Sequence, residues 1–303
     1  MLALTVPAPD VAATVGEPDG KHDEGVPIPA PIKAMLDAAL ASGSESDINT
    51  IVRYARTADP ESGDAVLAMA EHWRAERDAQ RRSMIREASF IDLWRGKAQL
   101  GGYLTTGNSE TFGVTGAVDA TREGLEWRHK FHAEADYQEN RGVASREHYL
   151  ASYQPNFKVD ERAYLYGQAQ FESDHFLGYD QRYSASIGAG YSAFKSAALK
   201  LDVELGPAYR HTSFTDDSVQ SSLAARGSAD LSWKLLPGLS LSQVASAYVQ
   251  RYNSTISSAT ALNAKLLGPL SAQLSYNVQY ESMPPTASMS TDTTTRAALV
   301  YSF

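Results

Sequence analysis

The sequence predicts an all-β protein: an antiparallel up-and-down transmembrane β-barrel of about twelve strands, preceded by a small α-helical segment. Three observations predict it. From Trp94 to the last residue the apolar period is two rather than 3.6. The alternating stretches are longer than the roughly five or six residues usual for a soluble strand, and match the ~9–11 or more of a tilted membrane strand. Aromatic residues on the apolar parity gather at strand ends, where a membrane barrel places its two interfacial girdles.

Composition is compatible with this and removes several alternatives. The chain has 303 residues, no cysteine and a net charge of −9. Disulfides, Cys-ligated zinc and thiol chemistry are therefore excluded. A nucleic-acid partner is not expected, because composition offers no basic face. Mean hydropathy is −0.33, and no apolar run reaches the ~18 residues of a helical span. That leaves a membrane barrel open, since its signal is alternation rather than bulk hydrophobicity. The charge is uneven: residues 1–90 carry a net −6 and residues 91–303 a net −3.

Residues 1–29, rich in Pro, Gly, Ala and acids, read as a disordered leader or linker. An exported chain needs a signal peptide. Met1–Gly20 makes a poor one, lacking a basic n-region and holding only the short apolar run Leu2–Val6. The expectation is a mature form, or a start that is truncated or misplaced. Residues 30–92 read as a periplasmic helical segment. Ile32, Leu36, Ala39 and Leu40 form one apolar face, and Ile48, Ile51, Val52 and Ala55 a second. A third helix opens at Asp59-Pro60, a capping side chain followed by proline in the first turn. Its stripe is Val66, Met69, Ala70 and Trp73, and its remainder is charged, with Arg74/Asp78 and Asp78/Arg82 spaced four apart. So few large apolar groups make a marginal core, and the segment is expected to lean on the barrel mouth or on a periplasmic protein.

Residues 93–303 read as the barrel, with strands near 94–104, 111–122, 125–138, 147–158, 163–173, 182–193, 198–210, 222–234, 239–250, 255–266, 269–281 and 291–303. The clearest is Leu125–Gln138. Leu125, Trp127, His129, Phe131, Ala133, Ala135 and Tyr137 alternate with Glu126, Arg128, Lys130, His132, Glu134, Asp136 and Gln138. Leu199–Arg210 and Leu270–Glu281 repeat the pattern. Connections after even-numbered strands are short, such as Glu123-Gly124 and Leu267-Gly268. Those after odd-numbered strands read as longer and polar, such as Glu139–Arg146, His211–Ser221 and Ser282–Ser290. Short periplasmic turns opposite longer external loops are the barrel arrangement, and an even strand number then puts both barrel ends on the periplasmic side.

The girdle follows from this topology. Trp94, Trp127, Phe157, Trp233 and Phe303 fall at the periplasmic ends, and Phe112, Tyr137, Tyr149, Phe171, Tyr183, Tyr209 and Tyr280 toward the external ends. All lie on the apolar parity of their strands, facing outer-membrane lipid. The ninth and tenth strands fit least well, because Gln243 and Ser258 fall on that parity, so a bulge or a register error is expected there. The opposite parity holds mixed charge. Arg95, Lys97, Glu126, Arg128, Lys130, Glu134, Asp136, Glu172, Lys200, Asp202, Glu204, Arg226, Asp230 and Arg296 are the expected lumen residues, with Asp119, Arg210, Lys234 and Lys265 beside them. Such a wall either lines a hydrated channel or closes a narrow lumen with ion pairs and hydrogen bonds.

At Trp94–Thr111 the chain reads W-R-G-K-A-Q-L-G-G-Y-L-T-T-G-N-S-E-T. This resembles the opening of the salt-induced outer membrane protein family, which carries domain of unknown function 481. The match rests on the early Trp94 and Gly96 and on Thr105, Gly107, Asn108, Ser109, Glu110 and Thr111. Phe171–Phe176 resembles a later block of that family, and Gly188-Ala189-Gly190-Tyr191 its glycine-rich strand. The resemblance covers about residues 92–303 and implies an outer-membrane location. It implies no catalytic residue, since the family has no assigned activity. Leu299–Phe303 likewise resembles the C-terminal signal read by the barrel-assembly machinery, an expected partner. Thr-Gly-Asn-Ser-Glu itself reads as a turn.

Sites for chemistry are sparse. Acyl hydrolysis on an outer wall would need His211 as base and Ser213 as nucleophile, with an orienting group that the sequence does not single out. His129 and His132 lie on opposite faces of one strand and cannot share a metal. No phosphate loop and no metal-ligand spacing occurs, so no enzyme, cofactor or metal is expected. A passive channel for small solutes or ions is the leading functional expectation. A structural or stress-adaptation barrel with periplasmic protein contacts is the alternative, and the acyl hydrolase a remote one.

Overall fold

A computed structural model describes residues 28–105, 110–251, 253–284 and 289–303. The expected leader lies outside them, and so do residues 106–109 at the centre of the Thr-Gly-Asn-Ser-Glu turn. The chain divides into two compact units between Ser83 and Met84.

The first unit holds α1 (Ala30–Ser42), α2 (Glu45–Ala58) and most of α3 (Pro60–Glu87). Helix α1 stops at Gly43, whose left-handed φ of 69° lets its N–H reach the carbonyls of Ala39 and Leu40. Ser44 then caps α2, its hydroxyl accepting from Asp47 N at 3.3 Å. At the start of α3 the Asp59 carbonyl accepts from Gly63 N at 2.8 Å. The core is Leu36, Ala39, Ile48, Val52, Ala55, Val66 and Ala70, drawn from the stripes that 3.6 periodicity marks. Gly63 lets α2 and α3 touch, since a Cβ there would meet Arg56 Cα at 2.6 Å. Arg74 does not rely on Asp78 along its own helix. It donates to Glu45 at 3.0 Å and Asn49 at 2.8 Å on α2.

The second unit is a closed antiparallel barrel of twelve strands, each paired with its sequence neighbours and β1 with β12. The strands are β1 (Trp94–Thr105), β2 (Thr111–Glu123), β3 (Trp127–Asn140), β4 (Val143–Lys158), β5 (Ala163–Asp174), β6 (Tyr179–Lys195), β7 (Leu199–Phe214), β8 (Val219–Leu236), β9 (Leu239–Gln250), β10 (Thr255–Leu267), β11 (Leu270–Glu281) and β12 (Thr291–Ser302). Closure runs from Lys97↔Ser302 to Leu100↔Leu299. It is extended by reciprocal backbone bonds between Gly96 and Phe303 of 3.0 and 2.9 Å. The Phe303 ring lies over Gly96, where a Cβ would meet it at 2.8 Å. No strand edge is left open, which is what a bilayer demands of a sheet. No helix among the described residues is long and apolar enough to cross a membrane.

The expected contrast between short and long connections is weaker than the sequence reading. Strands at the loop end run on into segments read as loops. Residues Glu139–Arg146 are mostly strand, turning on Arg141 and Gly142 alone. Both have positive φ, 51° and 76°, the geometry of a type I′ hairpin whose twist suits the flanking strands. β7 and β8 likewise continue to Phe214 and from Val219. Only the β11–β12 connection is long. Because these strands are polar at that end, alternation fades there although pairing does not.

The outer wall is apolar. Leu100, Leu165, Ile187, Leu205, Leu223, Leu274 and Leu299 are all exposed on it, as expected of a surface meeting hydrocarbon rather than water. Trp127, Trp233, Phe303, Phe112, Tyr149, Tyr183, Tyr209 and Tyr280 are exposed on this wall toward its two ends. Trp94 is half-buried, its indole N–H donating to the Phe90 carbonyl at 2.9 Å. Half-buried Phe171 packs on Tyr183 at 5.3 Å, and half-buried Tyr137 donates to Glu139. The segment before β1 folds onto the same wall: Phe90 meets Trp94 and His129 edge-on, and Arg122 donates to the carbonyls of Ser89 and Asp92.

The expected bulge between β9 and β10 is absent. Their pairing is continuous from Thr255↔Tyr248 to Ala264↔Leu239. Gln243 and Ser258 therefore do lie on the outer wall. Their polarity is absorbed locally, since Gln243 donates to Ser258 at 2.7 Å and accepts from Thr260. A polar group facing hydrocarbon costs little once it has partners.

Candidate functional site in the barrel lumen

Every strand turns its second parity inward, and the inward side chains of distant strands meet. At the turn end, Arg128 of β3 reaches Asp202 of β7 at 3.0 Å and Lys130 of β3 reaches Asp230 of β8 at 3.5 Å. Above them Glu204 of β7 is a hub. It accepts from Gln154 of β4 at 2.7 Å, Tyr164 of β5 at 3.0 Å, and Arg226 and Ser228 of β8 at 2.9 Å each. The glycine-rich run of β6 makes this possible. A Cβ on Gly190 would lie 2.2 Å from the Tyr164 ring, and one on Gly188 would lie 2.8 Å from Tyr166. Two inward tyrosines therefore fit only because the facing strand has no side chains there.

Toward the loop end the contacts form a belt. Arg296 of β12 pairs with Glu134 and Asp136 of β3. His148 of β4 stands between Asp136 at 3.9 Å and Glu172 of β5 at 3.6 Å. Tyr179 donates to Glu172 at 2.7 Å, and Arg182 of β6 approaches Glu172 at 3.8 Å. Arg182, 3 % exposed, then crosses the lumen to Glu281 of β11 at 3.1 Å. Asn253 donates to Glu281 at 2.7 Å, and Arg210 of β7 donates to Thr255 of β10 at 2.9 Å. Tyr248 lies under the Arg210 guanidinium at 4.1 Å. The belt joins β12, β3, β4, β5, β6 and β11 and crosses the lumen.

The remaining wall differs. From β8 to β11 the inward residues are mostly small and neutral, including Ser228, Ser242, Ser246, Ser257, Ser271 and Ser275. Val244 points inward, paired with Asp230 and Ala259, yet is 49 % exposed. An inward residue this exposed in mid-strand borders open space. The lumen is therefore not filled by side chains at this level of β9.

The fourteen expected lumen residues divide accordingly. Arg128, Lys130, Glu134, Asp136, Glu172, Asp202, Glu204, Arg226, Asp230 and Arg296 join the cross-lumen contacts above. Lys97 pairs with Asp119 at 3.5 Å, which also binds His132 at 2.8 Å. Arg95 and Lys200 share the inward parity but are exposed near the turn-end rim. Glu126 is a correction: it lies exposed in the turn before β3, where its carbonyl accepts from Lys158 N at 2.8 Å. Strand β3 begins at Trp127, because residues 124–126 must reverse the chain.

The expected lumen residues do not include Arg182, His148 and Glu281, which close the belt. Glu281 stands on the polar parity of its strand, but its meeting with Arg182 depends on barrel closure. Sequence reasoning also missed a group of possible metal ligands, Glu134, Asp136 and His148, whose ligand atoms all lie within 4.8 Å of one another. Asp136 and His148 are register partners, a proximity that residue spacing does not reveal. The expected His211–Ser213 pair does not form. His211 Nδ1 lies 2.8 Å from Ser221 Oγ on β8, because cross-strand neighbours stand closer than residues two apart on one strand. His129 faces outward, 2.8 Å from the Tyr153 hydroxyl, and His132 inward.

Comparison with known proteins agrees with the sequence resemblance. The family described as "Protein of unknown function, DUF481" matches residues 98–303. The uncharacterized protein YdiY of Escherichia coli (strain K12) is 27% identical over 203 residues, covering 66% of this chain and 80% of that protein. Among solved structures, the NanC porin aligns over 68% of this chain and 98% of its own at 10% identity, with a TM-score of 0.44. The COG4313 outer membrane channel from Pseudomonas putida F1 aligns over 72% of this chain and 100% of its own at 9% identity, with a TM-score of 0.43.

Proposed function

This chain belongs to the DUF481 family, and from that premise we propose that it is an outer-membrane passage for small hydrophilic solutes or ions, held shut by the belt in its lumen. One observation carries the reading: Val244, inward on β9, is 49 % exposed, and the contacts that cross the lumen toward the loop end are made by paired polar side chains rather than by a packed apolar core. An ion pair can be exchanged for water, whereas an apolar plug cannot. In this orientation both barrel ends and the helical unit are periplasmic, the belt lies toward the outside, and Phe303 is the residue the assembly machinery engages. Lipid around the outer wall is the remaining partner.

Planar bilayers test it. The folded wild-type barrel gives small or infrequent conductance steps. Removing both partners of the longest crossing, Arg182→Gln with Glu281→Gln, makes them larger or more frequent. If neither protein conducts, the passage reading is wrong. The belt's closure would then favour the second reading, a structural envelope barrel whose helical unit contacts periplasmic proteins.

A further inference from the structure

We propose that the lumen holds a specific site for one divalent first-row transition-metal ion, formed by Glu134, Asp136 and His148. It stands whether or not the barrel conducts. Glu134 and Asp136 are successive inward residues of β3, and His148 is the register partner of Asp136 on β4. The pleat therefore points all three at one place, and their ligand atoms fall within 4.8 Å of one another.

A cluster of charged groups can be explained by ion pairing alone, but two atoms here are not. Asp136 Oδ1 and His148 Nδ1 are buried and have no hydrogen-bond partner among the described residues. Their side chains are only 5 % and 10 % exposed. The 3.9 Å between His148 Nδ1 and Asp136 Oδ2 is too long for a direct bond. Bonds of ~2.0–2.2 Å to one ion would draw His148 Nδ1 and the Asp136 carboxylate a few tenths of an ångström closer, with the unpartnered Oδ1 as the oxygen left for the ion. The far side of the imidazole faces a carboxylate at ion-pair distance, without a hydrogen bond to it. His148 Nε2 faces Glu172 Oε1 at 3.6 Å, and Tyr179 donates to that same oxygen at 2.7 Å. A carboxylate behind a ligating histidine fixes the ring and raises its basicity. One nitrogen and two carboxylates select zinc or manganese-like ions over calcium or magnesium, which take oxygen ligands alone.

Arg296 is the main competitor, with Arg146 Nε 3.6 Å from Asp136 Oδ2 and His132 Nε2 3.7 Å from Glu134 Oε2 beside it. The Arg296 guanidinium pairs with both Glu134 and Asp136, so it opposes a cation on the same carboxylates. The pairing uses Asp136 Oδ2 and leaves Oδ1 free. Removing Arg296 should therefore tighten metal binding while leaving every ligand in place, by about tenfold or more.

The test is calorimetric titration of Zn²⁺ into the full folded chain in detergent after chelator treatment, with Mg²⁺ and Ca²⁺ as controls. Wild type is expected to bind one Zn²⁺ and neither control ion. Both His148→Ala and Asp136→Asn should lose it, and Arg296→Gln should bind more tightly. Folding of each variant is checked by its heat-dependent mobility on gels, and Asp136→Asn serves should His148→Ala fail to fold. Substituted Co²⁺ should give visible bands for nitrogen and oxygen ligands. Absence of Zn²⁺ binding by wild type overturns the proposal, even if Arg296→Gln binds. So does binding that survives both ligand substitutions, which would place the ion at another histidine.

Discussion

Gly190→Ala should destabilise the barrel through a single contact, and the structure gives the size. The added Cβ would sit 2.2 Å from Tyr164 Cζ, 2.3 Å from Cε2 and 2.7 Å from the hydroxyl oxygen. The ring cannot yield freely. Tyr164 is 2 % exposed, donates to Glu204 at 3.0 Å and has the Arg128 guanidinium 5.2 Å from its centroid. Overpacking a filled interior costs about 1–3 kcal/mol. Losing the bond to Glu204 would add about 1.5–3 kcal/mol, the range for bonds to a charged group. Since Gln154, Arg226 and Ser228 keep Glu204 partly satisfied, the lower part of each range applies. The expected loss is about 3 kcal/mol. The assay is urea unfolding of the barrel in lipid vesicles, followed by tryptophan fluorescence and gel mobility. In a Tyr164→Ala background the ring is gone, and Gly190→Ala should cost less than about 0.5 kcal/mol, a coupling of about 2 kcal/mol or more. If Gly190→Ala matches wild type, or keeps its full cost without the ring, the account of the glycine-rich strand is wrong.

Two further outcomes follow from the two faces of the wall and from its turns. Ala133 lies outward in mid-strand, between Val118 and Ala151; Ala133→Arg should cost about 2–4 kcal/mol in a bilayer, while Ala261→Arg, on the inward parity of β10, should cost far less, and equal costs in the same unfolding assay would reverse the assignment of faces. In the β4–β5 turn, bonds from the backbone N–H groups of Ala163 and Arg162 hold the Asp160 carboxyl below its ordinary value of 3.8; a lowered value in the folded state means stability present above the unfolded value and lost as pH falls through the folded one, so Asp160→Asn should flatten the acid limb of the stability profile, and an unchanged limb would count against the turn geometry.

The barrel was legible because its two-residue period is imposed by the environment. Trp127 through Tyr137 must face lipid and Arg128 through Asp136 must not, so parity alone assigns them. The helical core was legible for the same reason at period 3.6, with Leu36, Ile48, Val52 and Val66 on the marked stripes. What failed depended on pairing rather than pattern. The tight turn at Arg141-Gly142 was hidden because Glu139-Asn140 before it are both polar and Val143-Ala144 after it are both apolar, so neither parity stands out. Gln243 read as a misfit because its satisfaction comes from Ser258 and Thr260 on the next strand. The site was half legible. Parity found Glu134, Asp136, Glu172 and Arg296, but their meeting with His148, Arg182 and Glu281 depends on register and on ring closure. No spacing within one strand encodes either.

The placement of charge around the ring bears on what the lumen is for. A lumen closed only for rigidity would gain from apolar filling, because burying ion pairs takes several kcal/mol of desolvation per ion and packed hydrophobic replacements are often as stable or more so. The chain instead concentrates its ion pairs on β3–β8 and leaves mostly small neutral residues inward on β9 and β10. Two of the crossings are made through single arginines, Arg182 to β11 and Arg296 from β12. The ladders around them are made by backbone alone. This division leaves the frame independent of the crossings. It predicts that substitutions in Arg182 or Arg296 change access through the lumen far more than they change pairing of the strands.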